Sequence, residues 1–209
     1  MVRSILYIHG MGGGGDSRSP SILRDAIKDR ARLVVRTYDF DPEVAVRQID
    51  SWVKELKPEI VIGESLGSLH ALRIQGIPKV LVSPALNAPI YFELLAWLTL
   101  IPGVTALFNR MYRPREGDRQ RLHFTFMTLR KYMPHRRVAL ALSTSSSDKV
   151  FALLGTRDHY RKSGIVSFKT WKKYFGNSFF AYDGTHFTEE EYVRRDLKRI
   201  VLEVLNTNK

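Results

Sequence analysis

The chain has 209 residues, 44% of them apolar and 26% charged, with 33 basic and 21 acidic side chains. That length and balance fit one folded domain, 1–209, with a core of its own, and exclude a disordered or fibrous protein. The net charge of +12 bears on solubility and on attraction to anions, not on fold.

Met1-Val2-Arg3-Ser4 leads straight into a short apolar strand ending at His9. No long apolar h-region or small-residue cleavage site precedes it, and there is no cysteine, so the cytoplasm is the expected compartment. A glycine-rich turn follows, Gly10 to Gly15. Ser21 to Ala31 reads as a helix, with Ser19 or Ser21 as cap and Pro20 at a tolerated early position. Leu33 to Tyr38, rich in Val, Thr and Tyr, reads as a second strand. Val44 to Leu56 sets Val44, Ile49, Trp52, Val53 and Leu56 along one helical stripe. Glu59 to Gly63 is a strand, Leu66 to Gln75 a helix closed by Gly76, and Lys79 to Ser83 a further strand. Lys149 to Gly155 and Asn177 to Tyr182 are two more strands, with a helix over Ser167 to Tyr174 between them. A last helix covers Glu189 to Leu205. Strands alternating with helices predict an α/β domain with a mostly parallel sheet and helices on both faces.

Residues 88–148 interrupt this rhythm without a core strand and predict a helical cap or lid inserted into the sheet domain. Its apolar residues from Tyr91 and Phe92 to Leu107 and Phe108 either line an acyl pocket or form a helical core between cap and sheet. Glu93 and Pro102-Gly103 make that stretch a poor membrane span. Eight arginines and Lys131 lie between Arg110 and Arg137, Arg115 among them. They form either a solvated face or a surface that attracts an anionic substrate or an acidic membrane. No nucleic-acid-binding motif is present.

The chemistry concentrates in three places. Gly63-Glu64-Ser65-Leu66-Gly67 fits G-x-S-x-G between an apolar strand and a helix, the setting in which a sharp turn projects a serine hydroxyl above a sheet. Side chains at either glycine would collide with neighbouring backbone. His9-Gly10-Met11 ends the first strand, so the Met11 N–H can pair with the Leu66 N–H as an oxyanion hole, with His9 as a buttress. A serine needs a base and the base an orienter. His186, in Gly184-Thr185-His186-Phe187 after the last strand, and Asp158, in Thr156-Arg157-Asp158 after the preceding one, stand in the order serine, acid, histidine. Asp183 is the competing acid. His123, His135 and His159 read as surface or packing residues and His70 as helix packing. Glu64 has either a structural role or a role in tuning the site.

Leu6-Tyr7-Ile8-His9-Gly10, the elbow, Val82-Ser83-Pro84-Ala85, Leu154-Gly155-Thr156-Arg157-Asp158 and Asp183-Gly184-Thr185-His186-Phe187-Thr188 together resemble the α/β-hydrolase superfamily, and within it the small bacterial esterases of the YqiA type. The resemblance covers about two-thirds of the chain. It implies the α/β-hydrolase fold, activity on small-molecule acyl esters or acyl-CoA thioesters, and a triad on Ser65, Asp158 and His186. The middle segment is larger and more basic than in that group, and Glu64 and Ser68 also depart from its pattern. The mechanism calls for no metal and no organic cofactor.

Two other readings compete. Gly10 to Gly15 also matches G-x-G-x-x-G after a strand, with Asp39 after the second, which would suit a dinucleotide. The same fold can also serve as a non-catalytic binding module for a small molecule or a protein.

Overall fold

The computed structural model describes residues 3–114 and 116–207. Met1 and Val2 ahead of the first strand, and Arg115 of the basic run, lie outside the described residues.

The strands are β1 (Ser4–Ile8), β2 (Arg32–Val35), β3 (Ile60–Glu64), β4 (Lys79–Val82), β5 (Val150–Gly155) and β6 (Phe179–Tyr182). They form one parallel sheet in the order β2-β1-β3-β4-β5-β6. Alternate side chains of each strand feed opposite faces, as the pleat requires. Ile5, Tyr7, Ile60, Ile62, Val80 and Val82 face one core, while Leu6, Ile8, Val61, Leu81, Ala152 and Leu154 face the other. Strands buried on both faces read as continuous apolar runs, which is why β1, β3, β4 and β5 stand out in the sequence, while the partly exposed edge strands β2 and β6 are marked by their β-branched and aromatic residues.

The first core is closed by α1 (Arg18–Ile27), through Leu23 and Ile27, and by α10 (Lys198–Thr207), through Ile200, Val201 and Leu205. The second is covered by α2 (Pro42–Leu56), α3 (Gly67–Ala71) and α8 (Phe168–Phe175), and by helices of the β4–β5 segment. The N-cap of α2 is Asp41, whose carboxylate accepts from the Glu43 and Val44 N–H groups, with Pro42 in the first turn.

Among the described residues, three helices lie between β4 and β5: α4 (Ala88–Leu98), α5 (Val104–Met111) and α6 (Phe126–Ser145), and a single helical turn, α7 (Tyr160–Ser163), follows β5. Thr125 caps α6, and Pro134 sits inside it. No helix among the described residues is long and apolar enough to cross a membrane.

The differences from the sequence expectations have local causes. Helix α1 begins at Arg18, not Ser21, with Ser17 at the N-cap, because Pro20 is tolerated in a first turn. The helix expected over Leu66 to Gln75 is only five residues long: the chain must turn back through Gly76, at φ +76°, to enter β4. The last helix is broken into α9 (Glu190–Tyr192), a π-helical turn (Val193–Leu197) and α10. The wide turn lets Val193 and Leu197 as well as Ile200 and Val201 face the sheet.

Candidate functional site

The carboxyl ends of β1, β3, β5 and β6 meet at one edge of the sheet. Ser65 follows β3 with φ +50°, a left-handed conformation that costs a non-glycine residue about 1–2 kcal/mol. Its backbone is held on both sides by the end of β4: the Ser65 N–H donates to Val82 O at 2.9 Å, and the Ala85 N–H donates to Ser65 O at 3.1 Å. The flanking glycines are steric necessities. A Cβ on Gly63 would lie 2.8 Å from Ala71 Cβ and from Ser68 Cα, and one on Gly67 would fall on the carbonyl oxygens of Ile8 and His9.

The other two residues come from neighbouring strand ends. Gly155 at the end of β5 packs so closely on the turn after β6 that a Cβ there would lie 2.5 Å from Gly184 O and 2.8 Å from Thr185 O. The Thr156 and Arg157 N–H groups donate to Tyr182 O and Gly184 O at 2.8 and 3.0 Å. These contacts bring the two loops together. His186 Nδ1 lies 2.8 Å from Asp158 Oδ2, and His186 Nε2 lies 2.9 Å from Ser65 Oγ. Asp158 Oδ1 accepts from the Tyr160 N–H at 2.8 Å, and the Tyr160 ring stands edge-on to His186, 4.6 Å between centroids. Both Asp158 and His186 are buried. A neutral imidazole between a carboxylate and a hydroxyl can take the hydroxyl proton while the carboxylate fixes the ring's tautomer.

The competing acid is elsewhere. Asp183 is exposed and pairs with Arg157 at 3.0 Å. His9 is wholly buried, stacked on Tyr38 at 4.4 Å, with burial pushing its pKa down to about 4. A base is thus better sought at His186. His70 and His135 are buried side by side, 4.5 Å between centroids. His123 pairs with Asp39 at 2.9 Å. His159 stands closer to the site than a packing role suggests, 5.9 Å from the His186 ring. Burial raises the Glu64 carboxyl pKa, opposed first by the hydroxyl of Tyr7 beside it.

Beside Ser65 runs the glycine loop. A Cβ on Gly10 would lie 3.1 Å from Ser65 Cβ and 3.7 Å from Oγ, so Met11 follows directly from the backbone that flanks the serine. What secures this loop comes from a distant stretch of the chain. Gln120, buried and carried by the stretch between α5 and α6, accepts from the Gly12 N–H at 3.0 Å and donates to Tyr38 O at 3.1 Å; its own N–H donates to Gly13 O at 2.6 Å. Asp118 accepts from the Gly15 N–H at 3.2 Å, and Arg119 pairs with Asp16 at 2.8 Å. The signal that could have pointed here is the run of four glycines, whose bare backbone lets another segment approach within hydrogen-bonding distance.

The same bonds count against a dinucleotide. A phosphate cradle needs free N–H groups. Here Gly12 donates to Gln120, Gly13 to Gly10 O, Gly14 to Ser17 Oγ and Gly15 to Thr37 and Asp118. A carboxylate, Asp118, occupies the place where a phosphate would need positive potential. Among the described residues, no three His, Cys, Asp or Glu side chains gather to hold a metal ion.

The apolar residues of α4 and α5 divide. Phe92 and Ala96 are buried in the second core, and Leu95 and Phe108 pack against it. Tyr91, Leu94, Trp97, Leu98 and Leu107 are exposed. The latter serve neither as a closed pocket nor as a core.

Comparison with known proteins follows the same outline. Residues 4–94, which include β1, the glycine loop and the Ser65 turn, match the Uncharacterised protein family (UPF0227). No curated protein matches the sequence. Among solved structures, the chain is similar to the monoacylglycerol lipase of Paleococcus ferrophilus, with TM-score 0.65 and 18% identity over 99% of this chain and 95% of that one. It is also similar to a thermophilic esterase from Thermogutta terrifontis, with TM-score 0.68 and 13% identity over 98% of this chain and 90% of that one. This is the α/β-hydrolase fold. A third such structure is Est1E from Butyrivibrio proteoclasticus with ferulic acid bound, with TM-score 0.66 and 15% identity over 98% and 90% of the two chains. In this fold Ser65 lies in the turn between β3 and α3, and the β4–β5 segment is the largest excursion from the sheet.

Proposed function

We propose that the protein is a serine hydrolase that cleaves carboxylic esters or acyl thioesters of small molecules through an acyl-enzyme intermediate. The observation that carries this reading is the unbroken hydrogen-bonded run from Asp158 through His186 to Ser65 Oγ, ending on a serine held at φ +50°.

His186 Nε2 takes the hydroxyl proton as Ser65 Oγ attacks the acyl carbonyl. The charge that develops on the carbonyl oxygen is held by the N–H groups of Met11 and Leu66, each such donor being worth about 3 kcal/mol of barrier. Asp158 keeps the ring in its tautomer and stabilises the imidazolium. His186 then returns the proton to the leaving alcohol or thiol, and the C–O or C–S bond breaks. Water, deprotonated by His186, releases the acid and restores Ser65. Because α3 has only five residues, the individual N–H groups contribute more here than a helix dipole does. We read α4 to α6 as a cap that bounds the substrate. The names of the similar structures, esterases and a lipase among them, favour esters over amides.

The test is hydrolysis of p-nitrophenyl esters from acetate to palmitate by the wild type and by Ser65→Ala. Turnover that vanishes in the variant supports the reading. An unchanged rate in Ser65→Ala rejects it, and so does the absence of both turnover and phosphonate labelling in folded wild-type protein.

A further inference from the structure

We infer that the α4–α5 hairpin is a docking surface for an anionic lipid bilayer. This inference stands on the surface alone and holds whatever bond the enzyme cleaves.

Helix α5 has no buried residue, although Leu107, Phe108 and Met111 lie on it. Leu94 and Met111 are 66% and 63% exposed, and Leu100 and Ile101, in the turn joining α4 to α5, are 57% and 54% exposed. These side chains crowd two successive helices and the turn between them. Soluble proteins rarely leave so many large apolar side chains exposed within one short segment without a use for them. A binding groove would hold such residues in its walls; here Phe92, Ala96 and Phe108 pack toward the core while Leu94, Leu100, Ile101, Leu107 and Met111 face solvent.

The charge around the hairpin selects the occupant. Arg110, Arg113, Arg121, Arg130 and Arg137 are exposed. In the stretch 88–114 the one acidic residue is Glu93, already paired with Arg130 at 3.4 Å. The Arg130 guanidinium also lies 5.7 Å from the centre of the exposed Trp97 ring. An apolar hairpin with arginines and a tryptophan at its border is the arrangement that sinks into the headgroup region while its cations meet lipid phosphates. A second copy is a poor occupant, because a two-fold contact would bring two arginine-rich patches together with only Glu93 of 88–114 to offset them. An anionic bilayer satisfies the apolar and the cationic parts together.

The surface is tested by sedimentation with phosphatidylcholine vesicles, with and without phosphatidylglycerol, at low and high salt. Binding to the anionic vesicles is expected, with weaker binding to phosphatidylcholine alone and a loss on adding salt. A blue shift of tryptophan emission should accompany it and be absent in Trp97→Phe. Replacing Leu100 and Ile101 by Asp should weaken partition at least about tenfold, and replacing Arg110 and Arg113 by Gln should do likewise. All four positions are solvent-exposed, and circular dichroism checks that the variants fold; if they do not, the wild-type result decides. Failure of the folded wild type to bind anionic vesicles overturns the inference. So does binding that survives the Asp substitutions, or a stable dimer in solution that those substitutions dissociate.

Discussion

Gln120 Oε1 accepts the Gly12 N–H at 3.0 Å, joining the segment between β4 and β5 to the loop that flanks Ser65. The same amide reaches Tyr38 O, so one buried side chain fixes the backbone on either side of the turn. Gln120→Ala leaves both partners unpaired in a buried place, which costs roughly 1–3 kcal/mol per group. The expected outcome is a fall in kcat of about tenfold with little change in KM, because the loop is loosened where charge develops and not where substrate binds. Gln120→Glu keeps the acceptor for Gly12 and should recover part of the rate. Equal losses in kcat/KM and in thermal stability across both variants would show a purely structural role.

Asp158 and Asp183 separate cleanly. Asp158→Asn should lower kcat by roughly 10⁴, because an amide presents the wrong tautomer to His186, while circular dichroism stays unchanged. Asp183→Asn, at an exposed pair with Arg157, should alter kcat less than about twofold. Ester hydrolysis by the two variants decides the matter, and a large loss in Asp183→Asn would reverse the assignment.

Gly10→Ala places a methyl group 3.1 Å from Ser65 Cβ. Either the loop or the serine must move by a few tenths of an ångström. Activity should fall by roughly 10–100-fold, with a stability change below about 2 kcal/mol, measured by steady-state kinetics and urea unfolding. Wild-type activity in this variant would mean that the loop does not touch the reacting atoms.

The buried histidines make the fold lose stability in acid. Burial lowers the pKa of His9 to about 4 and that of His135 to about 3, and pushes His70 well below its ordinary value. In the folded state these rings stay neutral, whereas the unfolded chain binds protons from about pH 6.5 downward. Stability is therefore complete above pH 6.5 and drains away as the pH falls toward 4 and then 3, by roughly 2.5–3 kcal/mol each for His9 and His135 at about pH 4.5. Urea unfolding at neutral and acid pH measures this, and His135→Gln should show a shallower loss. Identical acid slopes in wild type and variant would exclude His135 as a contributor.

The sheet and the candidate site differ in how far the residues announce them. The strands are mostly apolar runs, and Ser65, Asp158 and His186 each follow one of them, so order and punctuation were enough to expect these three side chains at one end of the sheet. The length of α3 was not legible, because Leu69, Ala71, Leu72 and Ile74 continue an apolar pattern past the point where the chain must turn toward Lys79. The π-turn at Val193–Leu197 leaves only a slip in period, which a helical stripe absorbs. Gln120 lies between helices in a stretch without periodicity, and its role depends on a contact with residues 108 positions away. The dispersal of the α4 and α5 side chains between core and surface was equally hidden, since an all-round apolar helix carries no marker of which face is covered.

The distance along the chain between Ser65 and His186, 121 residues, has a consequence for biosynthesis. A ribosome delivers the strained serine turn long before it delivers the imidazole that would activate it, with Asp158 arriving between them. If the proposed triad operates, every truncated product ending before residue 186 carries a hydroxyl of ordinary reactivity, and the nascent chain is chemically silent toward the esters around it. On that proposal, reactivity switches on only when β6 adds to the edge of the sheet, and completion of the fold is the event that arms the protein.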